Sequence, residues 1–266
     1  MMSLKRYNLA AALLLCCFAA LLLCCFAALL LLLGGYGSAQ AAIAPDRTRL
    51  VFRGEDKSIS VDLKNANSKL PYLAQSWVED EKGVKITSPL IVVPPVQRIE
   101  PSAIGQVKIQ GMPALASLPK DRETLFYYNV REIPPQSDKP NTLQIALQTR
   151  IKVFYRPQAL SKIDMQHPWQ YKITLQRQGN GYQVSNPTGY YVVLSNASNR
   201  MDGTPARGFS PLVIAPKSNV TLGGDASELG RSPVLTYVND YGARLPLIFS
   251  CTDNSCAVDE AKSRKS

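Results

Sequence analysis

Histidine is almost absent from this 266-residue chain: His167 stands alone, followed by Pro168 and Trp169. A lone histidine excludes a histidine-rich metal site. No Walker loop, GxGxxG, GxSxG or HExxH pattern occurs, and no nucleophile has a base at motif spacing. The expectation is therefore a protein that is not an enzyme and holds no metal or cofactor. Long basic runs are missing as well. Lys and Arg number 30 against 20 Asp and Glu, a formal net charge of +10, yet the two signs are interspersed and no five-residue basic block appears. That argues against nucleic acid and for acidic protein surfaces or carboxylates as partners. Sustained helical periodicity is absent beyond the N-terminal apolar run.

That run has the order of a secretory signal: Lys5 and Arg6, an apolar stretch from Leu9 to Leu33, then the small residues Gly34–Ala42. Ala39-Gln40-Ala41 fits the A-x-A cleavage pattern and puts the mature start at Ala42. The octet AALLLCCF at Ala11–Phe18 repeats at Ala19–Phe26, which makes the run about as long as a membrane span. A duplication inside a cleaved signal is the simpler reading, a retained anchor the alternative. Four of the six cysteines leave with the signal. Only Cys251 and Cys256 remain, and in an exported protein so close a pair reads as a disulfide closing a small loop; a metal site would need more ligands.

The remainder suits two domains, each of about 100 residues and able to build its own core. Ser58–Lys64 alternates, with Ile59, Val61 and Leu63 inward and Ser58, Ser60 and Asp62 outward. Leu70–Val78 follows as a strand with Trp77 as a core anchor, and Thr124–Ile133 (TLFYYNVREI) has the composition of a central strand. Pro134-Pro135 ends it. Six or seven short strands in about 115 residues, separated by proline and polar turns, predict an immunoglobulin-like sandwich. After the Pro157 bend a second set follows: Tyr171–Gln176, Tyr182–Ser185, Tyr190–Leu194, Leu212–Ile214, Val220–Leu222, Val234–Val238 and Leu245–Phe249. The fold class expected is all-β, with a signal at 1–41, one sandwich at 42–160, a second at 161–260, and a polar tail at 261–266 that frays.

The informative stretch is Asn141–Arg156, NTLQIALQTRIKVFYR. Leu143, Ile145 and Leu147 alternate with Gln144, Ala146 and Gln148, as in a strand with one apolar face. The β-type run continues through Ile151, Val153, Phe154 and Tyr155 and carries Arg150, Lys152 and Arg156 inside it, where full burial of charge is disfavoured. Period two puts Lys152 opposite the three apolar residues. One shared working surface would require a bulge or strong twist between them.

Five blocks in the first half, DRTRLVF (Asp46–Phe52), LPYLAQSWVED (Leu70–Asp80), PPVQRIEP (Pro94–Pro101), LPKDRETLFYYNVREIPP (Leu118–Pro135) and NTLQIALQTRIKVFYRP (Asn141–Pro157), resemble the periplasmic pilus chaperones of the PapD type. NPTGYYVV (Asn186–Val193) and YVNDYGAR (Tyr237–Arg244) extend the resemblance into the second half. It implies two immunoglobulin-like domains set at an angle around a cleft, in the periplasm of a Gram-negative bacterium. The implied partners are pilus subunits, whose incomplete immunoglobulin-like fold is filled by a donated chaperone strand, and an outer-membrane usher. Self-association would cover the strand when idle. Arg49 and Lys152 match the cleft cations that hold the subunit's C-terminal carboxylate. Leu143, Ile145 and Leu147 match the groove-filling side chains. Glu132, Arg156 and Asp240 match an interdomain salt-bridge set. The short Pro134–Pro140 segment and the lack of a first-domain cysteine pair imply the short-loop type. The rival reading is a structural pilus subunit or adhesin. Such a protein should carry an N-terminal donor extension, for which Ala42–Pro45 is too short.

Overall fold

The computed structural model describes residues 41–264 together with Leu23. The expected signal, its octet repeat and its cysteines fall outside the described residues, Leu23 and Ala41 apart. Among the described residues no helix is long and apolar enough to cross a membrane.

The first half is a two-sheet sandwich. Strands β1 (Ile43–Pro45), β2 (Arg49–Arg53), β3 (Ser58–Asn65), β4 (Tyr72–Glu79), β5 (Lys85–Ile86), β6 (Leu90–Val93), β7 (Val96–Ile99), β8 (Ile104–Gly111), β9 (Thr124–Ile133) and β10 (Gln148–Arg156) follow in order. One sheet runs β1-β3-β8-β6. The other runs β2-β10-β9-β4-β5, with β7 also paired to β4. The alternation in β3 works as expected: Val61 and Leu63 join the core and Ile59 packs against it. β9, dense in β-branched and aromatic residues, lies inside its sheet between β10 and β4. Ala74 and Val78 of β4 face the core, so period two turns Trp77 to the outer face. This corrects the core-anchor expectation. Trp77 is buried by cations instead, with Lys85 Nζ 5.6 Å and the Arg131 guanidinium 5.4 Å from its ring.

The second half comprises β11 (Thr174–Gln178), β12 (Gly181–Asn186), β13 (Val192–Ser198), β14 (Leu212–Ile214), β15 (Ser218–Leu222), β16 (Val234–Val238), β17 (Arg244–Thr252) and β18 (Ser255–Val258). β17 pairs with β16 from Arg244 to Ile248 and with β18 from Phe249 onward, so one strand serves both layers around a core that includes Leu175, Leu235 and Phe249. Gly179, at φ 58°, makes the β11–β12 turn. Cys251 and Cys256 are direct partners across β17 and β18 and form the disulfide.

Two short helices, Ala226–Leu229 and Glu260–Arg264, break the all-strand pattern. The second corrects the expectation that the tail frays for residues 261–264; 265 and 266 lie outside the described residues. The Lys262 N–H donates to Asp259 Oδ1, Lys262 and Arg264 pair with Asp259 and Glu260, and the buried Ser263 Oγ accepts the Ile248 N–H at 2.9 Å. These contacts dock the turn on β17 in spite of its polar composition.

Candidate functional site

Register builds the site. β2 pairs with β10 in parallel, and Arg49 is the partner of Lys152. On adjacent strands at one pleat level, their side chains leave the sheet on the same face. Arg49 is buried, its Nη1 donates to the Val238 carbonyl of the second domain at 3.1 Å, and its Nε has no hydrogen-bond partner. No carboxylate lies within ion-pairing distance of Arg49 or Lys152 among the described residues. Burial lowers the Lys152 pKa, and the charges of Arg49 and Arg150 lower it further; burial lowers Arg49 too, against the opposing charge of Asp240. Two like charges thus stand side by side, partly desolvated and without an ion-pair partner among the described residues. A cavity lined by Arg47, Arg49, Leu50, Asp240 and Tyr241 opens beside them.

Leu143, Ile145 and Leu147 lie outside any strand, because β10 begins only at Gln148. Their exposures are 84%, 63% and 39%. The last ladder bond is Glu132 N–H to the Leu147 carbonyl at 3.0 Å; beyond it no backbone bond continues the ladder, and only the Gln144 side chain reaches across, to the Pro135 carbonyl. This corrects the expectation of one continuous strand from Asn141: the alternation is there, but no backbone partner is. The pairing of β10 with β2 and β9 is unbroken, so no bulge lies between Gln148 and Arg156. Ile151, Val153 and Tyr155 point into the core, and Leu143, Ile145 and Leu147 share their parity. The three apolar residues thus carry the parity of the core face past the end of the sheet, while Lys152 stands on the opposite face of β10.

Of the expected interdomain set, Arg156 and Asp240 meet through two bonds, 2.8 and 3.1 Å. Glu132 does not join them. The antiparallel register of β9 and β10 sets Arg156 beyond Thr124, whereas Glu132 lies nine residues farther along β9, about 30 Å away at ~3.3 Å per residue. Its carboxylate accepts the Ile43 N–H at 2.9 Å and ties β1 to β9 instead. Glu123 takes its place, 2.7 Å from Arg156 Nε, with its other oxygen accepting the Tyr191 N–H at 2.7 Å. Arg156, 1% exposed, also lies over Trp169 and Tyr190, which stack at 4.6 Å. Burial pushes the Glu123 carboxyl up to about 7, against the pull of Arg156 and the Tyr191 N–H, and the charge of Asp240 adds to the rise. Burial alone would lower Arg156, but Asp240 and Glu123 hold it above its ordinary value. Glu123 lies within the block Leu118–Pro135, but no spacing or pattern there singles it out from the other acidic residues.

The description "Pili and flagellar-assembly chaperone, PapD N-terminal domain" matches residues 42–161, and "Pili assembly chaperone PapD, C-terminal domain" matches 168–249. The chain belongs to the PapD family of pilus assembly chaperones. "Probable fimbrial chaperone YfcS" of Escherichia coli (strain K12) is 64% identical over 228 residues, 86% of this chain and 90% of that protein. "Chaperone protein PapD" of Escherichia coli is 45% identical over 225 residues, covering 84% and 92%. The crystal structure of the periplasmic chaperone SfaE matches with a TM-score of 0.62 at 26% identity, covering 77% of this chain and 98% of that one. That of the YadV chaperone matches at 0.63 and 30%, covering 77% and 97%. PapD-type chaperones are not enzymes, and the family's pairing of two immunoglobulin-like domains is the architecture described above.

Proposed function

We propose that this PapD-family chaperone stabilises pilus subunits in the periplasm by lending them the segment from Leu143 to Leu147, and delivers them to an outer-membrane usher. The observation that carries the reading is the exposed apolar row that keeps the parity of β10's core face where the sheet has stopped. Arg49 and Lys152 hold the subunit's C-terminal carboxylate. β2 covers only Lys152–Arg156 of one β10 edge, so the edge before Lys152 is open. A subunit strand ending at Arg49 continues the line of β2 and therefore runs parallel to β10. Its backbone pairs with the open edge, and Leu143, Ile145 and Leu147 enter the subunit's groove. Burying three such side chains contributes about 4.5–9 kcal/mol gross, at ~1.5–3 each. Idle, the same row is an aggregation risk, and self-association through it is the expected protection.

Arg49→Ala and Lys152→Ala should fold yet fail to retain co-expressed subunits in a periplasmic pull-down. Normal recovery with either variant would remove the carboxylate-anchor role.

A further inference from the structure

The outer face of the first-domain sheet carries a charge pattern that the anchor does not use. Register sets three rows across β4, β9 and β10: Gln75, Arg131 and Gln148; Trp77, Asn129 and Arg150; Glu79, Tyr127 and Lys152. Lys85 reaches over Trp77 from β5. The face is organised rather than loosely solvated. Arg131 Nη2 donates to Gln148 Oε1 at 3.1 Å, and Gln148 Nε2 donates to Asn129 Oδ1 at 2.9 Å. Arg150 lies 3.4 Å from the Tyr127 ring centroid and donates to Glu79 Oε2 at 2.9 Å. Glu79, its second oxygen accepting from the Trp77 indole, is the carboxylate that register places among Arg131 and Arg150 on this face. Aromatic stacking and amide bonds fix the guanidinium planes, which removes part of the entropy that exposed arginines lose on binding.

This face adjoins the open edge of β10. A strand seated there, as the proposed function requires, alternates its side chains between the groove and the outer face. Its outward residues pass beside Gln148 and Arg150, with Arg131 one strand further in. We infer that this face is a charge-reading surface that selects, among chains presenting a C-terminal carboxylate to Arg49 and Lys152, those with acidic side chains at the outward positions of the last strand. The inference rests on the strand-lending reading. Opposite charges on neighbouring strands attract and like charges repel, and over two or three positions the difference amounts to about tenfold in affinity.

Two synthetic twelve-residue peptides with the same alternating apolar residues test it. One carries Glu and the other Lys at the intervening positions, each is made with a free and an amidated C-terminus, and binding to the full chain is followed by fluorescence anisotropy. The free-acid Glu peptide should bind about tenfold tighter than the Lys peptide. That ratio should fall to near one or invert in Arg131→Glu/Arg150→Glu, fall part-way in Arg131→Gln/Arg150→Gln, and shrink at high salt. Because the readout is a ratio, partial unfolding of a variant does not imitate the effect. Equal binding of the two peptides, with amidation still abolishing it, overturns charge reading and leaves the carboxylate anchor standing. Indifference to amidation, or no binding at millimolar peptide, overturns both.

Discussion

Lys152 holds a charge that its surroundings disfavour. A lysine whose folded pKa lies below its ordinary value destabilises the fold while protonated, and that cost fades as pH rises through the folded pKa. Lys152→Met should therefore melt above the native protein at neutral pH while losing subunit binding. A lower melting temperature would mean that the lysine is structural. Glu123 has the opposite sign. With a folded pKa near 7 against an ordinary 4.5, it takes up a proton on folding, so its contribution is complete below about pH 4.5 and is lost as pH rises through 7. Melts at pH 5 and pH 8 should differ in favour of pH 5, and Glu123→Gln should narrow that gap. An unchanged gap would show that Glu123 is fully ionised beside Arg156.

At the level of the element, β10 and the segment before it share one alternation but not one environment. Ile145 is 63% exposed and Ile151 is 7% exposed, at the same parity. Ile145→Glu should change the chaperone's own stability by less than about 1 kcal/mol, yet abolish subunit capture, because the carboxylate would enter an apolar groove unpaired. Ile151→Glu should lower stability by several kcal/mol through an unpaired buried charge. Chemical denaturation of the two variants, run beside a pull-down, separates a lent strand from a core strand. A large loss for Ile145→Glu would overturn the lent-strand reading. The exposed pattern of Leu143–Leu147 was legible in sequence because period two needs no partner. Its departure from strand geometry was not, since a strand is defined by neighbours that this segment lacks.

In the whole molecule the two sandwiches are joined by close backbone approach as well as by charge. The Glu123 N–H donates to the Gly189 carbonyl at 2.8 Å, and a Cβ at Gly189 would lie 2.8 Å from the Asp121 carbonyl oxygen. Lys217 pairs with Asp121 across the same junction. Gly189→Ala should push the domains apart and lower stability by about 1–3 kcal/mol, as overpacking does. Gly181→Ala, where the nearest atom is 3.9 Å from the new Cβ, should stay within about 0.5 kcal/mol. Equal melting of the two variants would show that the junction yields freely.

The sequence by itself determined the all-β class, the inward faces of strands such as Ser58–Asn65, the close cysteine pair and the family, because alternation and contiguous motifs are local properties. The tertiary structure alone decided which acid meets Arg156. It also turned Trp77 outward beneath two cations and brought Arg49 beside Lys152 through a parallel pairing of distant segments. Register between strands is a collective outcome of packing, and a polar side chain's partner follows from register. Period two states which face a residue occupies and leaves open what stands opposite.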